Sequence, residues 1–193
     1  MKLKDRLLAF VDVETTGLDP EKHEMIEFAC KTSDGKKIQF KIKPQHIETA
    51  HPRALEVNGY TPERWKDAIE PKQAAAIIQE WLEEVIIIGQ SIKFDVGFIK
   101  ALLKREGVEY DNNFLRYSGD TVTLALAHLV PKGLTNLSLK SIMQFLNMEP
   151  EPDVHEAMNG VDCCKAVWEK LTDTGFDASK FHKHYSGPEY DKE

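Results

Sequence analysis

The run "VIIIG" at residues 85–89 constrains the fold more than any other stretch of this chain. It is short and fully apolar, the pattern of a strand buried on both faces, and such strands are covered by helices on each side of a sheet. The segment after it, "FDVGFIKALLKREG", has apolar residues at helical spacing and closes at Gly107, which predicts an amphipathic helix leaving the strand. Upstream, "RLLAFVDVET" reads as a buried strand, and "EMIEFACKTS" and "KKIQFKIKP" read as two more. Ser33, Asp34 and Gly35 supply the turn that makes the latter pair a hairpin. Downstream, "PKQAAAIIQEWLEE" is a helix with Pro near its start. "RYSGDTVTLALAHL" gives a short strand and a helix, "NLSLKSIMQFLNM" a helix capped by Asn136 or Ser138, and "HEAMNGVDCCKAVWEKLTDTG" a last long helix. Strands cluster early and helices late. The expected architecture is α/β: a mixed sheet, with a three-strand antiparallel meander plus parallel strands, flanked by helices.

At 193 residues, with 41% hydrophobic and 30% charged side chains and no internal repeat, the chain reads as one domain. The fully apolar runs, Val85 to Ile88 among them, are far too short to span a bilayer, and "MKLKDRLLAF" enters a strand without a cleavage signature. Neither membrane insertion nor secretion by that route is expected. Cys30, Cys163 and Cys164 are odd in number and lack metal-type spacing, which fits a reduced, cytoplasmic compartment. A net charge of -7 argues against binding nucleic acid through overall positive charge. It leaves open a protein whose carboxylates hold divalent cations that in turn meet phosphate.

"FVDVETTGLD", residues 10–19, places Asp12 and Glu14 two apart on a strand, so both side chains share a face. Such a pair repels unless a cation or a shared proton neutralises it. Alone, D-x-E is usually a solvated strand end. Here Asp95 lies just beyond "VIIIG", near a helix start, and strand and helix ends are where α/β folds place ligands. Three carboxylates from two elements could then converge on a hard divalent cation, and His155 adds a candidate base.

At these residues the chain resembles the DEDDh exonucleases, relatives of polymerase proofreading subunits that share an RNase H-like fold. The resemblance rests on "FVDVETTGLDP", "GQSIKFDVGFI" and "HEAMNGVDCCKAVWEKL" and runs from about Leu7 to Leu171. It implies an exonuclease domain over 1–175 and a loosely held tail over 176–193. It further implies that Asp12 bridges two divalent cations, Mg2+ or Mn2+, that Glu14 helps hold the ion carrying the attacking water, and that Asp95 supports the second. His155 would take the proton from that water. Two ions roughly 3.5–4 Å apart stabilise the attacking and the leaving oxygen of an in-line displacement. By the same resemblance Thr15, Thr16, Gly17 and Leu18 hold the 3′-terminal nucleotide, with Thr15 near its sugar and Leu18 against its base. Phe94 and Tyr60 are further candidates for that pocket, with core packing as the bland alternative for each.

Two positions depart from the family pattern. Gln90 and Ser91 stand where members usually carry His-Asn or a similar pair. More seriously, H-x-A-x-x-D puts the fourth carboxylate at position 160, and this chain has Gly160. Asp162 is a tentative substitute ligand, although it lies about 200° further around a helix. Glu156 is on the right face but at the helix entrance, and Asn159 is uncharged. The leading expectation is a metal-dependent 3′-to-5′ exonuclease that acts on single-stranded DNA or RNA ends, releases nucleoside monophosphates, and is weakened or inactivated at Gly160. A polymerase or repair partner would suit such a domain, although none is identified by the residues. The alternative is a catalytically impaired 3′-end binding or accessory protein of the same fold. A non-nuclease metal-binding domain is a third, weaker reading.

Overall fold

The computed structural model describes residues 6–111, 114–149 and 155–172; the expected tail over 176–193 and the end of the expected domain lie outside them. Five strands form one sheet in the order β3-β2-β1-β4-β5: β1 (Leu8–Thr15), β2 (Met25–Thr32), β3 (Lys37–Lys41), β4 (Ile86–Gly89) and β5 (Ser118–Asp120). β1, β2 and β3 pair antiparallel, whereas β4 pairs parallel to β1 and β5 parallel to β4. The meander and the mixed sheet are as expected, and Gly35 (φ 90°) turns the β2–β3 hairpin. The helices are α1 (Pro52–Val57), α2 (Pro71–Leu82), α3 (Lys93–Arg105), α4 (Thr121–His128), α5 (Leu139–Phe145) and α6 (Ala157–Thr172). Of the two candidate caps for α5, Ser138 is the N-cap and accepts from the Ser141 N–H, while Asn136 Oδ1 accepts from Ser138 N at 2.8 Å.

Strand alternation decides what each face of β1 meets. Ala9, Val11 and Val13 are buried in the cluster that takes in Ala74, Ile78 and Leu82 of α2 and Phe98, Ile99 and Leu103 of α3. Phe10 points to the other face, where Ala157, Val161 and Cys164 of α6 cover it. Asp12 and Glu14 follow Phe10 at the strand period of two, and the register shift comes only after Glu14, so both acids share the α6 face. The helix that carries the third motif therefore packs on the face that carries the acid pair. α4 and α5 meet α6 through Ala125, Ile142, Met143, Val167 and Leu171, which fixes how α6 lies across the sheet.

Close packing of α6 also depends on Gly119 in β5. A Cβ there would sit 2.5 Å from Trp168 Cη2 and 2.7 Å from Ile88 Cδ1. Gly119→Ala is expected to lower unfolding free energy by about 1–3 kcal/mol through overpacking. Urea denaturation checks this; an unchanged midpoint would show that the Trp168 ring gives way at no cost.

Candidate active site

The C-terminal end of β1, the start of α3 and the start of α6 enclose a cleft of about 580 Å³. Asp12, Glu14, Asp95, His155 and Gly160 all line it, so the structure brings the four main predicted residues and the departing glycine to one place. Glu14 and Asp95 are buried.

Asp95 is the third residue of α3. Burial pushes its carboxyl up to about 8; backbone N–H groups at Asp95 and Val13 pull it back, and the Asp120 carboxylate pushes it further up. The Val13 contact sets Asp95 against β1 between the two acids of the pair. Asp120, which the sequence reading did not single out, builds this approach. Its Oδ1 accepts from Ser91 N at 3.0 Å and from Val122 N at 2.9 Å, and its Oδ2 accepts from Ile92 N at 3.2 Å. One carboxylate thus caps α4 and pins the loop into α3. The D-T-V-T signature of a helix start was the available signal. Gln90 and Ser91 serve the same loop. Gln90 donates to the Leu137 carbonyl at 2.8 Å and accepts from the Thr121 hydroxyl, and Ser91 takes a left-handed conformation, φ 57°.

At Gly160 a Cβ would lie 2.5 Å from Asp12 Oδ2 and 2.7 Å from Asp12 Cγ. The Asp12 carboxylate therefore occupies the space into which a side chain at 160 would project. Neither nearby acid replaces that side chain. Asp162 turns to the outside of α6 and pairs with Lys31 at 2.7 Å, away from the cleft lining, so the tentative placement of Asp162 as a ligand is not how this structure has it. The cause is the helical angle between 160 and 162. Glu156 is held by Arg64 at 3.0 Å.

The donor types, carboxylate oxygens on one cleft, fit a hard divalent cation such as Mg2+ or Mn2+. Their present spacing does not assemble a site: among the described residues, no three His, Cys, Asp or Glu side chains form a group that could hold an ion.

The segment after β1 divides. Thr15 donates to the Gly17 carbonyl at 2.7 Å, and Thr15, Gly17 and the largely exposed Leu18 line the cleft. Thr16 does not. It is buried, and its hydroxyl accepts from Glu24 N at 2.8 Å, because the bulge after Glu14 turns it inward. Gly17 is required by a neighbouring side chain, since a Cβ there would be 2.4 Å from the His23 ring. Phe94 lines the cleft with its ring 4.9 Å from that of Phe98. Tyr60 is absent from the lining and packs on Trp65 at 4.9 Å, the bland reading of that residue. His51 and Arg53 also border the cleft, and nothing in their local sequence pattern marked them.

The RNase_T exonuclease family model matches residues 9–164. The chain belongs to this exonuclease family. Among its relatives, DNA polymerase III subunit epsilon of Aquifex aeolicus is 29% identical over 188 residues, covering 89% of this chain and 85% of that protein. PolC-type DNA polymerase III of Ureaplasma parvum is 35% identical over 104 residues, 51% of this chain and 7% of the polymerase. The corresponding protein of Bacillus cereus is 27% identical over 149 residues, 76% of this chain and 10% of the polymerase. The chain thus spans a tenth or less of these PolC-type relatives. Escherichia coli Exonuclease I in complex with a dT13 oligonucleotide superposes with a TM-score of 0.75 at 20% identity, over 88% of this chain and 41% of that one. Its zinc-bound form in complex with single-stranded DNA gives 0.76 at 22% identity, over 89% and 41%. The shared fold is the RNase H-like mixed sheet, and family membership places this exonuclease-family chain among nuclease hydrolases.

The raised Asp95 pKa has a testable sign. Between the ordinary value of 3.8 and about 8, the folded protein holds a proton that the unfolded chain has released. Stability from this group is fully present below the ordinary value and is lost as pH rises through the folded one. In chelator, thermal melts are expected to fall from pH 5 to pH 9, and Asp95→Asn is expected to flatten that fall. A variant whose pH profile parallels the parent's would contradict the assignment.

Proposed function

We propose that this protein is a divalent-cation-dependent 3′-to-5′ exonuclease of single-stranded DNA or RNA that releases nucleoside monophosphates and whose turnover is held down by Gly160. The observation that carries the reading is the convergence of Asp12, Glu14, Asp95 and His155 on one cleft in an exonuclease-family chain. Asp12, Glu14 and Asp95 are the residues that would hold Mg2+ or Mn2+. Bound there, the ions would activate a water and stabilise charge on the phosphoryl oxygens. His155 is the residue that would accept the water's proton, imidazole being the side chain suited to general-base work near neutral pH. Thr15, Gly17 and Leu18 form the wall for the terminal nucleotide, and Phe94 offers a ring to it. The names of the relatives suggest work beside a polymerase, and three free cysteines suit a cytoplasmic setting.

One observation favours the second reading, a 3′-end binding protein with impaired catalysis: the Asp12 carboxylate fills the space at 160.

The two readings separate by experiment. A 5′-labelled single strand should shorten from its 3′ end, and a 3′-phosphate should protect it. Equal degradation of circular single strands would point to an endonuclease instead. Asp12→Ala should abolish calorimetric binding of Mn2+ or Mg2+. Gly160→Asp requires the Asp12 carboxylate to shift, because a Cβ at 160 would lie 2.5 Å from its Oδ2 and 2.7 Å from its Cγ. It should raise the initial rate roughly a hundredfold, equivalent to about 2.7 kcal/mol of transition-state stabilisation. Asp162→Asn should change the rate little, because its partner is Lys31. A parent chain that is already fast and is disabled by Asp162→Asn would overturn the role given to Gly160. A Gly160→Asp chain that binds 3′ ends but never cleaves would establish the second reading.

A further inference from the structure

The position of His155 is fixed by a tertiary contact. It precedes the first turn of α6, and its backbone N–H donates to the Val57 carbonyl at 3.2 Å, at the end of α1. The chain just after Val57 is itself fastened to the acidic strand. Asn58 is buried, and its side-chain amide donates to the Thr15 carbonyl at 2.9 Å. Arg64 then joins this hub to the other side of the cleft. Its Nη1 donates to the Gly59 carbonyl at 2.8 Å and the Asn58 carbonyl at 3.4 Å, and its Nη2 donates to Glu156 Oε1 at 3.0 Å.

Arg64 is presented by an anchored turn. The Thr61 hydroxyl accepts from Arg64 N at 3.2 Å, and the neighbouring Trp65 is buried with its indole N–H on the Ile26 carbonyl at 2.9 Å. The planar guanidinium can serve carbonyls with one nitrogen and a carboxylate with the other, which a lysine ammonium cannot do in the same geometry. An exposed ion pair alone would be weak. Here one fork connects two backbone carbonyls to the residue beside His155.

We propose that Arg64 is a positioning residue for His155: through Glu156 and the Asn58–Gly59 carbonyls it ties the His155 segment to the end of β1, holding the base opposite Asp12 and Glu14. This rests on the reading of His155 as the base. It assigns work to Arg64 and Glu156 that the acid constellation does not include, and it accounts for why Glu156 does not serve as a substitute ligand.

The test pairs kinetics with backbone hydrogen exchange on Arg64→Ala, Glu156→Ala, the double variant and Arg64→Lys. Displacement of a reacting group by about an ångström can cost up to a hundredfold, so each alanine variant should lower kcat about tenfold, with KM within about twofold of the parent. The double variant should be no worse than the weaker single, because both changes cut one connection. Arg64→Lys should recover only part of the rate. The His155 amide should exchange about tenfold faster in each variant while the Phe28 and Cys30 amides of the core keep their protection, which excludes general unfolding. Unchanged His155 exchange, additive losses in the double variant, or an effect confined to KM would each overturn the tether. If the variants loosen the His155 amide but His155→Ala leaves the rate untouched, the tether stands and the assignment of His155 as base falls.

Discussion

The site depends on how closely α6 lies on the acidic face of β1. Phe10, Asp12 and Glu14 share that face, and the helix covers Phe10 with Ala157, Val161 and Cys164. The apolar contact brings the helix down, and the same contact brings residue 160 onto the Asp12 carboxylate. A glycine leaves room there, and the carboxylate takes it. Burying acids is costly, and the chain moderates that cost unevenly. Asp95 is held toward its neutral form by burial, helped by Asp120 and opposed by the backbone N–H groups of Asp95 and Val13. The result is a cleft whose charge balance is set by packing as much as by composition.

Around this contact, hydrogen bonds to backbone groups set the positions of the loops. Asp120 holds residues 91 and 92 while capping α4, so the parallel edge of the sheet and the entry to α3 are fixed by the same carboxylate. Asn58 holds Thr15 in the same manner from the other side of the cleft. Neither residue needs to reach substrate to matter. Each removes freedom from a segment that carries a functional side chain, which is how a rigid site is supported on irregular backbone.

The exonuclease family pattern and this chain part company at few points, and the structure gives each a local reason. Gln90 and Ser91 keep the loop before Asp95 in place through Leu137, Thr121 and Asp120. Asp162 serves the surface of α6 with Lys31. Gly160 alone removes a charge from the cleft without another acid arriving to restore it. The acid pair, the buried Asp95 and the histidine otherwise remain in the lining of one cleft.

Much of this was legible in the sequence because it follows from local periodicity. A strand period of two puts Asp12 and Glu14 on one face, "VIIIG" must be buried on both, and a helix turns Asp162 away from position 160. Motif order tied Asp95 and His155 to the same site. What the sequence could not decide depends on partners distant along the chain. Thr16 was expected at the nucleotide, but the bulge after Glu14 gives its hydroxyl to Glu24; Tyr60 found Trp65 in place of the cleft. Gly17 exists for the His23 ring, and Arg64 reaches a glutamate 92 residues away. Side-chain direction along a regular element is a property of the backbone period, so the sequence by itself determined it. Which polar groups meet across the cleft is fixed only when the sheet and α6 close on each other, so the tertiary structure decided it.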